Sequence, residues 1–190
     1  MTEKNLEQSP TEVNNSPINH GKKKILNLGS GTDWYGTHRL DFKKTEPAVT
    51  HEYDLNGNNK IPFPNNYFDE IRFWRTLEHL ADLGNIIREC YRVLKKGGKI
   101  DVITDNAAYL VFHVKSEHNQ YKFQAGYNRH PDDYHLHLFV PSHLDALFRR
   151  FKNIKITYLH RNNKKGLKKL FLNSIPFNMG YEELHLIAEK

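Results

Sequence analysis

The stretch Lys22-Lys-Lys-Ile-Leu-Asn-Leu-Gly-Ser-Gly-Thr-Asp33 decides how the chain is expected to fold. Its short apolar run ends abruptly at two glycines that are one residue apart, Gly29 and Gly31. This pattern is typical of a buried parallel strand that enters a tight turn, because glycine adopts backbone angles that other residues avoid and lets a ligand approach the main chain. At the carboxyl end of a central strand, such a turn is the usual ligand site of an open α/β sheet.

The composition of the 190 residues predicts one folded domain, with a hydrophobic fraction of 38%. The net charge of +6 favours acidic or nucleic-acid partners only weakly. The single cysteine, Cys90, excludes an internal disulfide, suits a reducing compartment and is interpreted as a buried structural thiol on a predicted helix. Because no charged leader and no apolar run long enough to span a bilayer are seen, we expect a cytoplasmic protein.

Apolar periodicity divides most of the chain into alternating strands and helices. Residues 1–20 are polar and predict a disordered tail, followed by one domain over residues 21–190. Strands are predicted at Lys22–Leu28, His38–Asp41, Ala48–Tyr53, Phe68–Trp74, Lys99–Thr104, Lys155–Leu159 and Glu183–Ala188. Helices are predicted from the capping residue Asp82 to Lys95, from Pro141 to Phe151 and, as a short basic helix, at Lys164–Leu172. This alternation predicts a doubly wound α/β sheet.

Three features of the sequence depart from the regular alternation of strands and helices. The interval between the first two strands is short for a crossover, so we expect a helix of one or two turns there, or none. Arg72 is unexpected in a central strand that should be buried on both faces. Segment 106–137 is loosely patterned and is predicted to be a lid or a substrate-binding insertion.

The glycine turn, Asp41 and Asp54 all follow predicted strands and should meet at one edge of the sheet. A carboxylate can accept both hydroxyls of a ribose, and backbone amides beside glycine can bind other polar atoms, so these features indicate a nucleoside ligand. A dinucleotide site would need a third glycine where Trp34 stands, and a helix to hold the pyrophosphate. No Gly-Lys-Ser/Thr phosphate loop occurs either.

Six short motifs occur in order over residues 24–104, and together they resemble the class I S-adenosylmethionine-dependent methyltransferases, within these the small type 11 group. The motifs are Ile25–Gly31, Asp41, Asp54-Leu55, Ile61–Ile71, Thr76–Leu80 and Glu89–Gly98. The resemblance implies S-adenosylmethionine as the cofactor. It also implies a Rossmann-like fold, in which a mostly parallel seven-stranded sheet has an antiparallel strand at its C-terminal end.

The resemblance assigns cofactor contacts to the first two strands and the turn between them. Gly29, Ser30 and Gly31 would hold the methionine part of the cofactor, and Asp41 would bind the ribose hydroxyls. Asn27 stands where the family usually has Asp or Glu, so it would contribute a hydrogen bond without charge.

Further contacts are implied after the third and fourth strands. Asp54 and Leu55 would face the adenine, and Arg75 and Thr76 would border the methyl group. Asp33 stands where a third glycine of the family is common.

Glu78 and His79, which follow the fourth strand, are the candidate catalytic residues. Methyl transfer from a sulfonium is an in-line displacement that mainly needs a positioned nucleophile, and a hydroxyl or protonated amine acceptor also needs a base. A purely structural role at a helix start is the alternative for both. The sequence has no Asn/Asp-Pro-Pro-Tyr after this strand and only one cysteine, which argues against methylation of DNA adenine or cytosine.

The densest group of metal-ligand residues is His130, Asp132, Asp133, His135 and His137. Their spacing matches no specific ligand signature, so the sequence predicts no metal site.

The leading hypothesis is an enzyme that methylates a small-molecule or glycan-like acceptor held by segment 106–137. Residues 149–169 contain nine Lys or Arg and no Asp or Glu, and they support an alternative, an RNA methyltransferase that uses the basic C-terminal third. A third interpretation is a non-catalytic methyltransferase-fold binding module or partner subunit. The oligomeric state is not predicted.

Overall fold

The computed structural model describes residues 21–43, 47–57, 60–109, 135–161 and 177–190. The predicted tail at 1–20, the predicted basic helix Lys164–Leu172 and most of segment 106–137 lie outside these ranges. Within the described ranges the chain forms one seven-stranded, mostly parallel sheet with helices, and this confirms the predicted α/β fold class.

Four strands precede the first α-helix among the described residues, and each of the two α-helices is followed by a strand. The strands are β1 (Ile25–Leu28), β2 (His38–Asp41), β3 (His51–Glu52), β4 (Phe68–Trp74), β5 (Leu94–Asp105), β6 (Lys152–Arg161) and β7 (Tyr181–Glu189). The α-helices of the described ranges are α1 (Leu83–Val93) and α2 (Pro141–Leu147), and 3-10 turns span Leu77–His79 and Phe177–Gly180.

The sheet has the strand order β3-β2-β1-β4-β5-β7-β6. All neighbours from β3 to β5 are parallel, whereas β7 lies antiparallel between β5 and β6. The implied antiparallel strand near the C-terminus is therefore confirmed. Since parallel strands end at the same edge of a sheet, the residues that follow β1, β2, β4 and β5 lie along one edge, and this edge positions the candidate site.

The main apolar core joins one face of the sheet to the two helices. Ile71 and Phe73 of β4 are fully buried in it together with Ile86 and Cys90 of α1. Burial raises the pKa of the Cys90 thiol far above its ordinary value, which agrees with a structural role. The predicted cap of α1 is also confirmed, because the side chain of Asp82 accepts a 2.9 Å hydrogen bond from the amide of Asn85.

Several element boundaries differ from the predicted ones. Helix α1 ends at Val93, because the fully buried Leu94 is extended and pairs with Phe68. Strand β5 consequently begins at Leu94 rather than at Lys99, and Lys95, the predicted last residue of the helix, lies in this strand. In addition, α2 ends four residues before Phe151, and β3 has only two residues.

A loop, not a helix, connects β1 to β2, and all of residues 29–37 are described. This agrees with the expectation of a short or missing crossover helix. The same loop explains Arg72, whose guanidinium lies 3.5 Å from Asp33, 4.2 Å from the centre of the Tyr35 ring and 3.8 Å from that of Trp74. The loop thus supplies a carboxylate and an aromatic ring for a charged side chain in the central strand.

None of the helices in the described ranges is long and apolar enough to cross a lipid bilayer.

Candidate functional site

The glycine turn after β1 is held by hydrogen bonds to β2 and by contact with the residue beyond β4. The amides of Gly29 and Ser30 both donate to the carbonyl of Leu40, at 2.9 and 3.1 Å. Gly29 has φ +66°, and a Cβ at this position would overlap with the side chain of Thr76. A residue other than glycine would therefore be strained and would clash, so this turn requires glycine.

The predicted acid at the end of β2 contacts the turn directly. The amide of Gly31 donates a 2.8 Å hydrogen bond to Oδ2 of Asp41, and the amide of Phe42 donates to Oδ1 at 2.8 Å. A carboxylate can accept about four hydrogen bonds, so Asp41 keeps capacity for ligand hydroxyls. Beside it, the hydroxyl of Ser30 is buried and has no hydrogen-bond partner among the described residues.

Asn27 forms hydrogen bonds with the loop that follows the glycine turn. This side chain is 1% exposed, and its Nδ2 donates to Oδ2 of Asp33 at 3.2 Å and to the carbonyl of Tyr35 at 3.3 Å. Asn27 thus holds the loop, and the nearby negative charge comes from Asp33.

The segment after β3 lies next to Asp41. The amide of Tyr53 donates a 2.8 Å hydrogen bond to the Asp41 carbonyl, which brings Asp54 and Leu55 to the same edge as the glycine turn. Asp54 is exposed and accepts a 2.8 Å hydrogen bond from the amide of Asn56. Leu55 packs against the apolar core.

The two residues that follow β4 have different surroundings. Thr76 is 8% exposed, and its hydroxyl lies 3.3 Å from the Gly29 carbonyl, so Thr76 belongs to the glycine turn. Arg75 has φ +53°, and its guanidinium forms an ion pair with Glu183, which is fully buried at the start of β7. Glu183 also contacts Nδ1 of His160 at 2.5 Å.

Glu78 lies in the 3-10 turn Leu77–His79 and is 1% exposed. Its Oε2 accepts a 2.9 Å hydrogen bond from the hydroxyl of Thr104 in β5. Burial is the main factor that raises the pKa of Glu78, to about 7, and the negative charge of Asp105 adds to it. The Thr104 hydrogen bond and His135 act in the opposite direction.

Residues 135–137 are hydrogen-bonded to this turn. The carbonyl of Glu78 accepts hydrogen bonds from the amides of Leu136 and His137, at 2.8 and 3.1 Å. His135 is thereby placed edge-on to His79, with 4.6 Å between ring centres, and its Nδ1 lies 3.2 Å from Oδ2 of Asp105. The structure thus brings together both candidate catalytic residues and His135, one of the histidines in the dense group between residues 130 and 137.

Asp105 was not among the residues singled out from the sequence. It is 3% exposed and ends β5. Asp105 could have been found from the sequence, because it directly follows the predicted strand Lys99–Thr104. Asp41 was singled out for the same kind of position, at the carboxyl end of a predicted strand.

Comparison with known proteins connects this edge to a family. A family model described as a methyltransferase domain matches residues 38–102, which include Asp41, Asp54, Thr76 and Glu78. This match supports the class I S-adenosylmethionine-dependent methyltransferases as the family that the chain resembles. The resemblance given by the motifs is thereby confirmed, and S-adenosylmethionine is the cofactor of this family.

Three matched proteins illustrate the relationship. A demethylmenaquinone methyltransferase from Listeria welshimeri is 36% identical over 67 residues, which are 34% of this chain and 28% of that protein. A methyltransferase from Archaeoglobus fulgidus has a TM-score of 0.63 at 17% identity, with 88% of this chain and 86% of that chain covered. A methyltransferase from Thermotoga maritima has the same TM-score at 15% identity, with 90% and 84% covered. The solved structures support the fold alone, and the chain spans less than a third of the Listeria protein.

The residues around the glycine turn fit the cofactor of the family. Its methionine and ribose parts carry charged and hydroxyl groups that need hydrogen-bond partners. The buried hydroxyl of Ser30 has capacity for such a bond, and so does the carboxylate of Asp41. A Cβ built on Gly31 would meet no described atom within 4 Å, so the main chain of the turn is accessible on that side.

Proposed function

We propose that the protein transfers a methyl group from S-adenosylmethionine to a small-molecule acceptor. The observation that carries the proposal is the Gly31–Asp41 hydrogen bond, which combines an accessible glycine turn with an oriented carboxylate at the carboxyl edge of a parallel sheet. The demethylmenaquinone methyltransferase among the matched proteins supports a small-molecule acceptor over a glycan or a nucleic acid.

The cofactor-binding residues are proposed from their positions along this edge. Gly29, Ser30 and Gly31 would bind the methionine part, and Asp41 would accept hydrogen bonds from the ribose. Asp54 and Leu55, which the Tyr53–Asp41 hydrogen bond holds nearby, would line the adenine site. These are contributions to binding and orientation, which an in-line displacement needs most.

The acceptor side of the site is proposed to include Thr76, Glu78 and His79. When bound, S-adenosylmethionine supplies an electrophilic methyl group on a sulfonium. Glu78 is 1% exposed, so we assign it a positioning role: it bonds to Thr104 and, through its carbonyl, fixes the chain at residues 135–137. His79 is only partly buried and is therefore the residue of this pair that lies closer to solvent. Acceptor binding by segment 106–137 stays a prediction.

The two other interpretations of the sequence have less support. The basic stretch that motivated an RNA substrate lies partly outside the described residues, and the matched proteins do not favour it. Asn27 motivated a non-catalytic module, but its amide is accommodated by Asp33 and Tyr35 without distorting the glycine turn.

Isothermal titration of the purified protein with S-adenosylmethionine and with S-adenosylhomocysteine tests the proposal. We expect one-to-one binding of both in the micromolar range. Transfer of a labelled methyl group is then measured with reduced demethylated quinones and with other small acceptors. Absence of binding at high ligand concentration would contradict the proposal and would favour the non-catalytic module.

A further inference from the structure

Two imidazoles and two carboxylates converge where β4 and β5 end. One potential ligand atom from each of Glu78, His79 and His135 lies within 4.8 Å of the other two. Asp105 stands behind His135, with its Oδ2 3.2 Å from Nδ1 of the ring. We propose that Glu78, His79 and His135 bind a divalent transition-metal ion and that the carboxylate of Asp105 orients the ring of His135. This inference goes beyond the proposed function, because it concerns a metal ion that the methyl-transfer proposal does not require.

Main-chain hydrogen bonds fix the positions of these residues. The Glu78 carbonyl accepts from two successive amides at residues 136 and 137, so the turn that carries Glu78 and His79 and the segment that carries His135 move together. Two residues further on, the carbonyl of Phe139 accepts a 2.8 Å hydrogen bond from the amide of Ala107, which lies two residues after the end of β5. The proposed ligands therefore lie on segments that main-chain hydrogen bonds hold together, as expected of a site that forms when the protein folds.

The burial of the carboxylates favours a cation. Glu78 is 1% exposed and Asp105 is 3% exposed. Burying two carboxylates side by side is costly unless positive charge or hydrogen-bond donors offset them. The hydroxyl of Thr104 supplies one donor to Glu78. A divalent ion bound by Glu78 would add positive charge at this position.

The ligand types indicate which ions fit. Two imidazole nitrogens and one carboxylate oxygen suit zinc, iron, cobalt or nickel, whereas calcium and magnesium prefer oxygen ligands only. A histidine ligand usually donates its second ring N–H to a carboxylate. Oδ2 of Asp105 lies 3.2 Å from Nδ1 of His135, close enough for this role although the two atoms are not aligned as a hydrogen bond. Three protein ligands leave at least one open coordination position, which an oxygen atom of the acceptor could occupy.

This combination of residues was not predicted from the sequence. The dense group from His130 to His137 was not predicted to bind a metal, because its spacing matches no ligand signature. The proposed ligands come from two segments far apart in the chain, Glu78-His79 and His135, and only the fold brings them together.

The experiment uses full-length protein without a polyhistidine tag, treated with a chelator and dialysed. Titration with zinc should show one-to-one binding, and cobalt should give the visible absorption bands of an ion bound by nitrogen and oxygen ligands. His79→Ala and His135→Ala should abolish the cobalt bands and weaken zinc binding. Asp105→Asn should lower zinc affinity by roughly 10–100-fold, the usual cost of losing an outer partner of a ligand. His143→Ala, an exposed position on α2, is the matched control and should bind as the wild type does.

Circular dichroism of each variant establishes that it is folded. His79 is only partly buried, so its replacement should leave the core intact even if His135→Ala fails to fold. The proposal is overturned if the wild type shows neither stoichiometric zinc binding nor cobalt bands. It is equally overturned if folded His79→Ala binds zinc as tightly as the wild type. Because no cofactor is added, either result is independent of whether S-adenosylmethionine binds.

Discussion

The amide of Gly31 and the carboxylate of Asp41 are joined by a 2.8 Å hydrogen bond that links the turn after β1 to the end of β2. Asp41→Ala should therefore weaken binding of S-adenosylmethionine by ~10–100-fold, since hydrogen bonds to a charged group contribute about 1.5–3 kcal/mol. Isothermal titration measures the effect, with the exposed Asp145→Ala on α2 as control. Equal affinity of wild type and Asp41→Ala would remove Asp41 from the cofactor site.

Gly29→Ala should destabilise the protein strongly. The residue has φ +66° and its new methyl group would overlap with Thr76, so both backbone strain and a clash oppose folding. Gly21→Ala is the matched control, because Gly21 has φ +62° but no described atom within 4 Å of its Cβ position. We expect about 1 kcal/mol for Gly21→Ala and at least about 2 kcal/mol for Gly29→Ala, from denaturant unfolding. Equal losses would mean that the contact with Thr76 has no role in the turn.

Arg75→Ala should lower stability more than it lowers cofactor affinity. Removing the guanidinium leaves the fully buried Glu183 with His160 as its remaining charge partner among the described residues, at a cost of about 2 kcal/mol in the free energy of unfolding. Arg88→Ala, an exposed arginine on α1, should change little. A loss of cofactor binding without a loss of stability would instead support the role beside the methyl group that the resemblance implied.

Glu89 should contribute stability that depends on pH. Arg92 holds the pKa of Glu89 below its ordinary value of 4.5, and the amide of Ile61 donates a 3.0 Å hydrogen bond to the same carboxylate. Because the pKa is lower in the folded state, this contribution is complete above pH 4.5 and is lost as the pH falls through the folded pKa. Glu89→Gln should thus be less stable than the wild type at pH 7, and the difference should shrink in acid.

Denaturant unfolding at neutral and acidic pH measures this difference, with the exposed Glu52→Gln as control. A difference between wild type and Glu89→Gln that stayed constant with pH would contradict the assigned cause.

Local patterns were sufficient to predict the features that depend on neighbouring residues. The turn at Gly29 and Gly31, the cap at Asp82 and the strand Phe68–Trp74 each follow from a short stretch, because glycine angles, capping oxygens and apolar alternation act locally.

Features that depend on distant residues were not predicted. The early end of α1 results from the pairing of Leu94 with Phe68, and the ion pair of Arg75 is made with a residue 108 positions away. The contact of Asp105 with His135 likewise depends on how the chain returns to the sheet edge. No local pattern encodes such contacts, which explains why the glycine turn was easier to predict than the cluster around Glu78.

The loop between β1 and β2 has a consequence for the thermodynamics of binding. Asp33 and Tyr35 both hold Arg72 of the central strand, and Asn27 holds both of them in turn. The loop cannot move away without leaving a guanidinium uncovered in the middle of the sheet. Its order is therefore established when the protein folds, so a ligand that binds beside it should lose little affinity to the entropy of ordering the chain.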